Sequence, residues 1–258
     1  MLDDPCKLAF ATAGDARQPA LLMLHGFMSC NAQWLANIDA LSQHHYLIMV
    51  ELWGHGNSPS PSDPELYSVP AYIQQFEALR AELDIPQWHL LGQSYGAGVM
   101  IRYALTCPQA CGKVVVTNSR SAFGRLIPER AHADSQAPAA ERPFDPRALP
   151  FHPIHARRFP QHIKDALVAS ADNISAEAIR LGGRLGEDLY CADVLGQLAQ
   201  PLLITNGRYE KAFQQDLARL LEKYPALSAA NLDGGHSVNI EAADDFDRAV
   251  LDFLRNET

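Results

Sequence analysis

Short apolar runs recur along the chain, and each of them ends in turn residues. They read ALLMLHG, YLIMVEL, WHLLGQS, KVVVTNS and PLLITNG, and begin at Ala20, Tyr46, Trp88, Lys113 and Pro201. A near-continuous apolar run bounded by Gly, Ser or Asn is typical of a strand that is buried on both faces. The sequence therefore predicts five strands inside the protein.

The segments between these runs have a helical period. In two of them, within residues 32–43 and 71–83, the apolar positions are Trp34, Leu35, Ile38, Leu41, Tyr72, Ile73, Phe76 and Leu79. Steps of three and four residues place these side chains on one face of a helix that packs on a sheet. Repeated alternation of strand and helix predicts an α/β fold with a doubly wound, mostly parallel sheet. In such sheets the functional groups collect at the carboxyl ends of the strands.

Residues 120–193 interrupt this alternation. They contain no clear strand; the first half is rich in Pro, Ala, Arg and His, and the second half includes the helical patterns HIKDALVAS and SAEAIRLGGRL. A structureless linker of this length is unusual inside a compact domain. We therefore expect a core made of residues 1–119 and 194–258, with residues 120–193 inserted as a helical cap. For the proline-rich half, partial disorder is the alternative.

Charge and cysteine content limit the classes of partner. The net charge of −9 provides no basic surface for nucleic acid or anionic membrane, and no apolar run approaches the length of a membrane span. The N-terminus MLDDPCKLAF lacks a secretory signal pattern, and the five cysteines are an odd number without C-x-x-C pairs. We expect a cytoplasmic monomer or homodimer that acts on a small molecule.

The stretch LLGQSYGAG, residues 90–98, carries the strongest chemical signal. A predicted strand ends near Gly92 and a helical pattern begins near Tyr95, so that Ser94 lies in the turn between them. Small residues on both sides allow a sharp turn that exposes the hydroxyl of a nucleophilic serine. The backbone N–H of Tyr95, at the start of the helix, is then placed to stabilise an oxyanion.

A nucleophilic serine needs a base, and the base needs an orienting acid. His236 follows a Gly-Gly turn and precedes a helical pattern, and we predict it as the base. Glu210 lies three residues after Gly207, at the end of the last apolar run, and is the predicted acid. The alternatives are that Glu210 is a surface residue and that the acid comes from the region after Asn118.

Two further strand ends add candidates. His25 and Gly26 end the first run, so the N–H of Phe27 is the predicted second oxyanion donor. The loop GHGNS, residues 54–58, is expected to be structural, with His55 buried or capping, while Trp53 beside it is a candidate for the pocket wall.

Taken together, the chain resembles the α/β-hydrolase superfamily across nearly its full length. The resemblance rests on HGF, ELWGHGNS, GQSYG, PLLITNGRYE and GGHSVNIEAADDF. It implies a catalytic triad of Ser94, His236 and Glu210, oxyanion donors at Phe27 and Tyr95, and neither a metal nor an organic cofactor. Glutamate stands at positions 51 and 210 where the family more often has aspartate, and the segment before HGF is short for the family's leading strand.

The resemblance also implies a reaction. Serine at the turn points to acyl transfer through an acyl-enzyme, whereas similar proteins that displace halide carry aspartate there. We expect hydrolysis of a carboxylic ester of a small or medium substrate. The alternatives are a carbon-carbon bond hydrolase, a thioesterase or a lactonase with the same triad, and a catalytically idle ligand-binding homologue.

The inserted segment is rich in arginine within an acidic protein. Its arginines are Arg120, Arg125, Arg130, Arg142, Arg147, Arg157, Arg158, Arg180 and Arg184. If one or two of them face the cleft, they favour a substrate with a carboxylate or phosphate. Arg120, directly after a strand end, is the candidate for substrate binding; the alternative is a solvated cap surface with ion pairs to Glu129, Asp134 and Glu141.

Overall fold

A computed structural model describes residues 6–124, 144–186 and 188–255 of the chain. Its strands are β1 (Phe10–Ala13), β2 (Ala20–Leu24), β3 (Tyr46–Val50), β4 (Trp88–Gly92), β5 (Cys111–Thr117), β6 (Leu202–Gly207) and β7 (Ser228–Leu232). Its α-helices are α1 (Ile38–Leu41), α2 (Val69–Glu82), α3 (Tyr95–Thr106), α4 (Arg120–Phe123), α5 (Gln161–Ala171), α6 (Ala176–Arg184), α7 (Lys211–Lys223), α8 (Val238–Glu241) and α9 (Ala243–Arg255).

The seven strands form one sheet in the order β1-β3-β2-β4-β5-β6-β7. Strand β1 pairs antiparallel with β3, and all other pairs are parallel. The predicted α/β class and the mostly parallel sheet are confirmed, and the five predicted runs correspond to β2 through β6. Strands β1 and β7 were not among the predicted apolar runs, because they are edge strands with partly exposed residues.

Both faces of the sheet are covered by apolar residues. Along β2, Leu22 and Leu24 belong to one buried cluster, while Leu21 and Met23 belong to a second cluster on the other face. This alternation follows from the two-residue period of a strand and explains why the run has no polar position. Helix α3 packs into the first cluster, and Phe246 of α9 packs into the second.

The segment predicted as one helix within residues 32–43 is two short pieces. A 3-10 helix covers Asn31–Trp34, and α1 covers Ile38–Leu41. Between them, the buried side chain of Asn37 donates hydrogen bonds to the backbone carbonyl of Asn239 and to the carboxylate of Asp247, at 2.9 and 2.8 Å. The apolar period is present, but these bonds to distant residues mark the place where the helix is interrupted.

The described part of the inserted segment contains helices and no strand. Helices α5 and α6 fall on the two predicted helical patterns, and 3-10 turns cover Pro146–Ala148 and Pro153–His155. Arg125, Arg130, Arg142, Glu129, Asp134 and Glu141 lie outside the described residues, as does about half of the proline-rich part. Among the described helices, none has the length and hydropathy that crossing a membrane would require.

Candidate active site

Ser94 lies in a strained turn at the centre of the sheet. Strand β4 ends at Gly92 and α3 begins at Tyr95, and Ser94 between them has φ 52° and ψ −109°. A side chain on Gly92 would come within 2.5 Å of the carbonyl oxygen of Gly96, and one on Gly96 would collide with the carbonyl of Leu24. Both glycines therefore permit the close approach that bends the chain, and the left-handed backbone of Ser94 is held in place by the packing around it.

Three predicted residues meet at this turn. Nε2 of His236 lies 2.8 Å from Oγ of Ser94, and Nδ1 of the same ring lies 3.0 Å from Oε2 of Glu210. Ser94 follows β4, Glu210 follows β6 and His236 follows β7, so all three stand at the carboxyl edge of the parallel sheet. The structure thus brings together, in one hydrogen-bonded series, side chains that are 142 and 26 residues apart in sequence.

Asn118 fixes the position of the acid. Its Nδ2 donates to Oε2 of Glu210 at 2.7 Å and to the carbonyl of Gly207 at 3.1 Å, while its Oδ1 accepts from the N–H of Gly207 at 2.7 Å. The adjacency of β5 and β6 makes these contacts possible. No role for Asn118 was predicted from the sequence; the only signal was a polar residue near the end of the run KVVVTNS.

The charges in the series support one another. Burial opposes ionisation of Glu210, but the hydrogen bond and the charge of His236, together with the amide of Asn118, hold the pKa of Glu210 below its ordinary value. Desolvation tends to lower the pKa of His236, yet the hydrogen bond to Glu210 and the charges of Glu210 and Glu241 raise this pKa above its ordinary value. The ionised carboxylate is therefore arranged to stabilise an imidazolium at His236.

The two residues whose backbone N–H groups are the predicted oxyanion donors lie beside Ser94. Phe27, after β2, and Tyr95, at the start of α3, both line the cavity that contains Ser94. Neither N–H donates to another residue in the part of the chain that the structure describes. Donors in this arrangement are suited to an oxygen that gains negative charge.

The other histidines of the strand-end loops are structural. In His25, Nδ1 donates to the carbonyl of Gly26 at 2.7 Å and Nε2 accepts from the N–H of Leu52 at 3.2 Å. In His55, Nε2 accepts from the N–H of Met28 at 3.2 Å. Burial lowers the pKa of His25 to about 4 and that of His55 to about 3, so both rings are neutral at ordinary pH. They hold the Phe27 loop in place.

Glu51 has a comparable structural part. It is buried, and its two carboxylate oxygens accept hydrogen bonds from the N–H groups of Asn31 and Asn57, at 3.0 and 2.7 Å. Glu51, which stands where the family more often has aspartate, therefore ties the GHGNS loop to the segment after the Phe27 turn.

Ser94, His236 and Glu210 line one end of a cavity of about 840 Å³, and this end is called the reactive corner below. Its polar lining includes Ser29, Gln33 and Gln93 beside the hydrogen-bonded series, and Arg120, Ser121, His152 and His155 from the inserted segment. Its apolar lining comes largely from the inserted segment; the residues are Phe27, Met28, Pro150, Phe151, Pro153, Phe159 and Leu167. A cavity with one reactive corner and a broad apolar wall suits a small or medium organic ligand.

Of the two candidates for substrate contact, only one reaches the cavity. Arg120, at the start of α4, is among the lining residues. Trp53 is a correction: its side chain is buried, it packs against Tyr72 with ring centroids 4.5 Å apart, and its indole N–H donates to the carbonyl of Cys6 at 2.7 Å. A position at a strand end does not place this side chain at the cavity, because the indole turns into the core beneath the loop.

The inserted segment is fastened to the reactive corner at two points. The hydroxyl of Tyr95 donates to the carbonyl of Gly182 in α6 at 3.0 Å, and the Cα of Gly182 packs so closely on the ring of Phe27 that a methyl group there would lie 2.7 Å from Cε2. Arg158 forms an ion pair with Glu241 at 3.2 Å. The two predicted oxyanion donors thus share a contact in the cap.

Within residues 6–124, 144–186 and 188–255, no three His, Cys, Asp or Glu side chains are grouped to hold a metal ion.

Known proteins resemble this chain in sequence and in structure. A family model described as the alpha/beta hydrolase fold matches residues 19–173. The dihydrolipoyllysine-residue acetyltransferase component of the acetoin cleaving system from Pseudomonas putida is 29% identical over 254 residues, which cover 95% of this chain and 66% of that protein.

An uncharacterized protein of Mycobacterium tuberculosis is 32% identical over 113 residues. That match covers 44% of this chain and 32% of the relative, so the chain spans about a third of this relative's length. Among solved structures, the enol-lactonase from Burkholderia xenovorans LB400 matches with a TM-score of 0.76 and 20% identity, over 96% of each chain.

Proposed function

Because the chain belongs to the α/β-hydrolase family, we propose that it is a serine hydrolase that cleaves a carboxylic ester of a small or medium substrate. The observation that carries the proposal is the series of hydrogen bonds from Glu210 through His236 to Ser94, at 3.0 and 2.8 Å, at the edge of the cavity. Neighbouring groups in this order are what a hydroxyl nucleophile requires.

The first step forms an acyl-enzyme. His236 accepts the Ser94 proton at Nε2 while Oγ attacks the ester carbonyl carbon, and the carbonyl oxygen becomes an oxyanion. The N–H groups of Phe27 and Tyr95 donate to that oxygen. His236 then gives its proton to the leaving alcohol as the carbon-oxygen bond breaks.

The second step returns the enzyme to its starting state. Water enters the position of the alcohol, gives a proton to Nε2 of His236 and attacks the acyl carbon. Collapse of the second oxyanion breaks the bond to Oγ, which takes the proton from Nε2 of His236, so that the acid is released and the Ser94 hydroxyl is restored. Glu210 stays ionised throughout and stabilises the imidazolium, while Asn118 keeps the carboxylate in position.

A fluorophosphonate probe tests the proposal directly. We expect it to label folded wild-type protein at Ser94 and to leave Ser94→Ala and heat-unfolded protein unlabelled. Turnover of short p-nitrophenyl esters should exceed that of acyl thioesters and vinylogous diketones. Failure of the folded protein to label at Ser94 would refute the serine hydrolase, and faster turnover of thioesters or diketones would replace the ester by another acyl substrate.

A further inference from the structure

Arg120, the first residue of the inserted segment, brings a positive charge to the cavity. It is the only Lys or Arg among the described residues that line the cavity, and 58% of its side chain is exposed. It begins α4 two residues after Asn118, which holds Glu210. An anion bound to Arg120 would therefore lie beside the reactive corner.

The carboxylate nearest to Arg120 has another partner. Oδ2 of Asp216 lies 3.9 Å from Nε of Arg120, which is beyond hydrogen-bond distance. Oδ1 of the same carboxylate accepts a hydrogen bond from Arg219, one turn further along α7. Asp216 is thus already neutralised, and the guanidinium donors of Arg120 make no hydrogen bond within the part of the chain that the structure describes.

Neither of the two carboxylates among the described residues that line the cavity forms an ion pair with Arg120. Glu210 hydrogen-bonds to His236 and Asn118, and Glu241 pairs with Arg158. The charge of Arg120 makes a minor contribution to lowering the pKa of Glu210, but its guanidinium donors remain available at the cavity surface. Because the whole chain carries a net charge of −9, an anionic ligand is repelled at long range unless a local cation attracts it.

We infer that Arg120 binds a free carboxylate of the substrate, so that the substrate is an ester that carries a second, ionised acid group. This inference rests on the proposed ester hydrolysis. The planar guanidinium matches a carboxylate through two parallel hydrogen bonds. The hydrocarbon part of such a molecule would lie against Phe151, Phe159 and Leu167 of the cap.

Two matched substrate pairs test the inference. One pair is mono-p-nitrophenyl glutarate and its methyl ester, which place the charge on the acyl side. The other is 4-acetoxybenzoate and its methyl ester, which place it on the alcohol side. We expect kcat/KM for the anionic member to exceed that of the neutral member at least tenfold in one pair, and the ratio to shrink as added salt screens the charge.

Variants assign this preference to one side chain. Arg120→Gln should lower the anionic-to-neutral ratio about tenfold or more, and Arg120→Lys should lower it less, because the charge remains while the paired donors are lost. An effect of Arg120 on Glu210 would change kcat/KM of both esters by the same factor, so it cancels in the ratio. Arg180→Gln, on the cap surface beside Glu177, is the control and should leave the ratio unchanged.

The outcomes separate this inference from the proposed function. If wild-type protein hydrolyses neutral esters but neither pair shows a preference for charge, Arg120 does not recognise the substrate, while the ester hydrolase stands. A preference that persists in Arg120→Gln would also overturn the assignment. If no ester is hydrolysed and Ser94 does not label, the proposed function itself fails.

Discussion

The two walls of the cavity are built in opposite ways. The sheet wall consists of Ser94, Glu210 and His236, which follow β4, β6 and β7 at the edge of a parallel sheet. Its polar atoms are paired at hydrogen-bond distance, and Asn118 ties the acid to the backbone of the neighbouring strand. The cap wall is mostly apolar and includes Pro150, Phe151, Phe159 and Leu167, with His152 and His155 among its polar residues.

The difference suits the sheet wall to proton transfer and the cap wall to substrate selection. Proton transfer depends on distances that change little, and the groups proposed for it lie shortly after strands of one sheet. Apolar contact tolerates small shifts, and the cap meets the reactive corner through few polar contacts, such as the bond from Tyr95 to Gly182. We therefore expect changes in the sheet wall to act on kcat, and changes in the cap to act on substrate preference and stability.

The largest effect should follow from removal of the nucleophile or the base. Ser94→Ala and His236→Ala are each expected to lower kcat for a p-nitrophenyl ester by about 10⁴-fold or more, because neither acts without the other. Circular dichroism should show that both variants keep the fold. Substantial residual turnover in either folded variant would show that the series at the sheet wall is not the catalytic one.

The orienting acid should come next. Glu210→Gln is expected to lower kcat by roughly 10²- to 10⁴-fold, since the amide keeps the shape of the side chain but loses the charge that stabilises the imidazolium. Asp233, in an exposed ion pair with Arg208, offers the control Asp233→Asn, which should have little effect. Near-normal kcat in Glu210→Gln would mean that another acid orients His236.

The contact between Asn118 and the acid should have a smaller effect. Asn118→Ala removes a 2.7 Å hydrogen bond to Glu210, and we expect kcat to fall about tenfold or more with little change in KM, as for the loss of a bond to a charged group. Because the amide also lowers the pKa of Glu210, this pKa should rise in the variant. A change in KM alone would place Asn118 in substrate binding instead.

The pH profile of kcat/KM should show the coupling of acid and base. His236 must be neutral to accept a proton, and Glu210 raises its pKa, so activity should decline as the pH falls through a value above the ordinary 6.5 of histidine. In Glu210→Gln the charge is lost, and the midpoint of this acid limb should move to lower pH. An unmoved midpoint would contradict the assignment of the titration to His236.

The smallest expected effect is a difference in unfolding free energy between substitutions of two neighbouring glycines in the cap. In Gly182→Ala the new methyl lies 2.7 Å from the ring of Phe27, whereas in Gly183→Ala it has no described atom within 4 Å. Both changes favour the helix by roughly 0.5–1 kcal/mol. Denaturant unfolding should show this gain for Gly183→Ala only, and Gly182→Ala should also lose ester turnover severalfold. Equal stability of the two variants would mean that the ring of Phe27 yields without cost.

Several features of the molecule could be predicted from local sequence. Buried parallel strands are long apolar runs, and a sharp turn with close packing requires the glycines at positions 92 and 96. Both the inner strands of the sheet and the place of Ser94 in the turn after β4 therefore followed from short patterns. His236 after its Gly-Gly turn and Glu210 after β6 were likewise predicted, and the structure places them within hydrogen-bond distance. Edge strands β1 and β7 were harder to predict because their partly exposed residues break the apolar pattern.

The sequence by itself determined the five inner strands, the main helices and which side chains stand at strand ends, because period and turn chemistry act over a few residues. Only the tertiary structure decided where those side chains point. Trp53 turned into the core, Arg120 reached the cavity, and Asn118 met Glu210 because β5 and β6 are neighbours in the sheet. Such contacts depend on strand order and on how the inserted segment packs, and both are set by residues far apart in the chain.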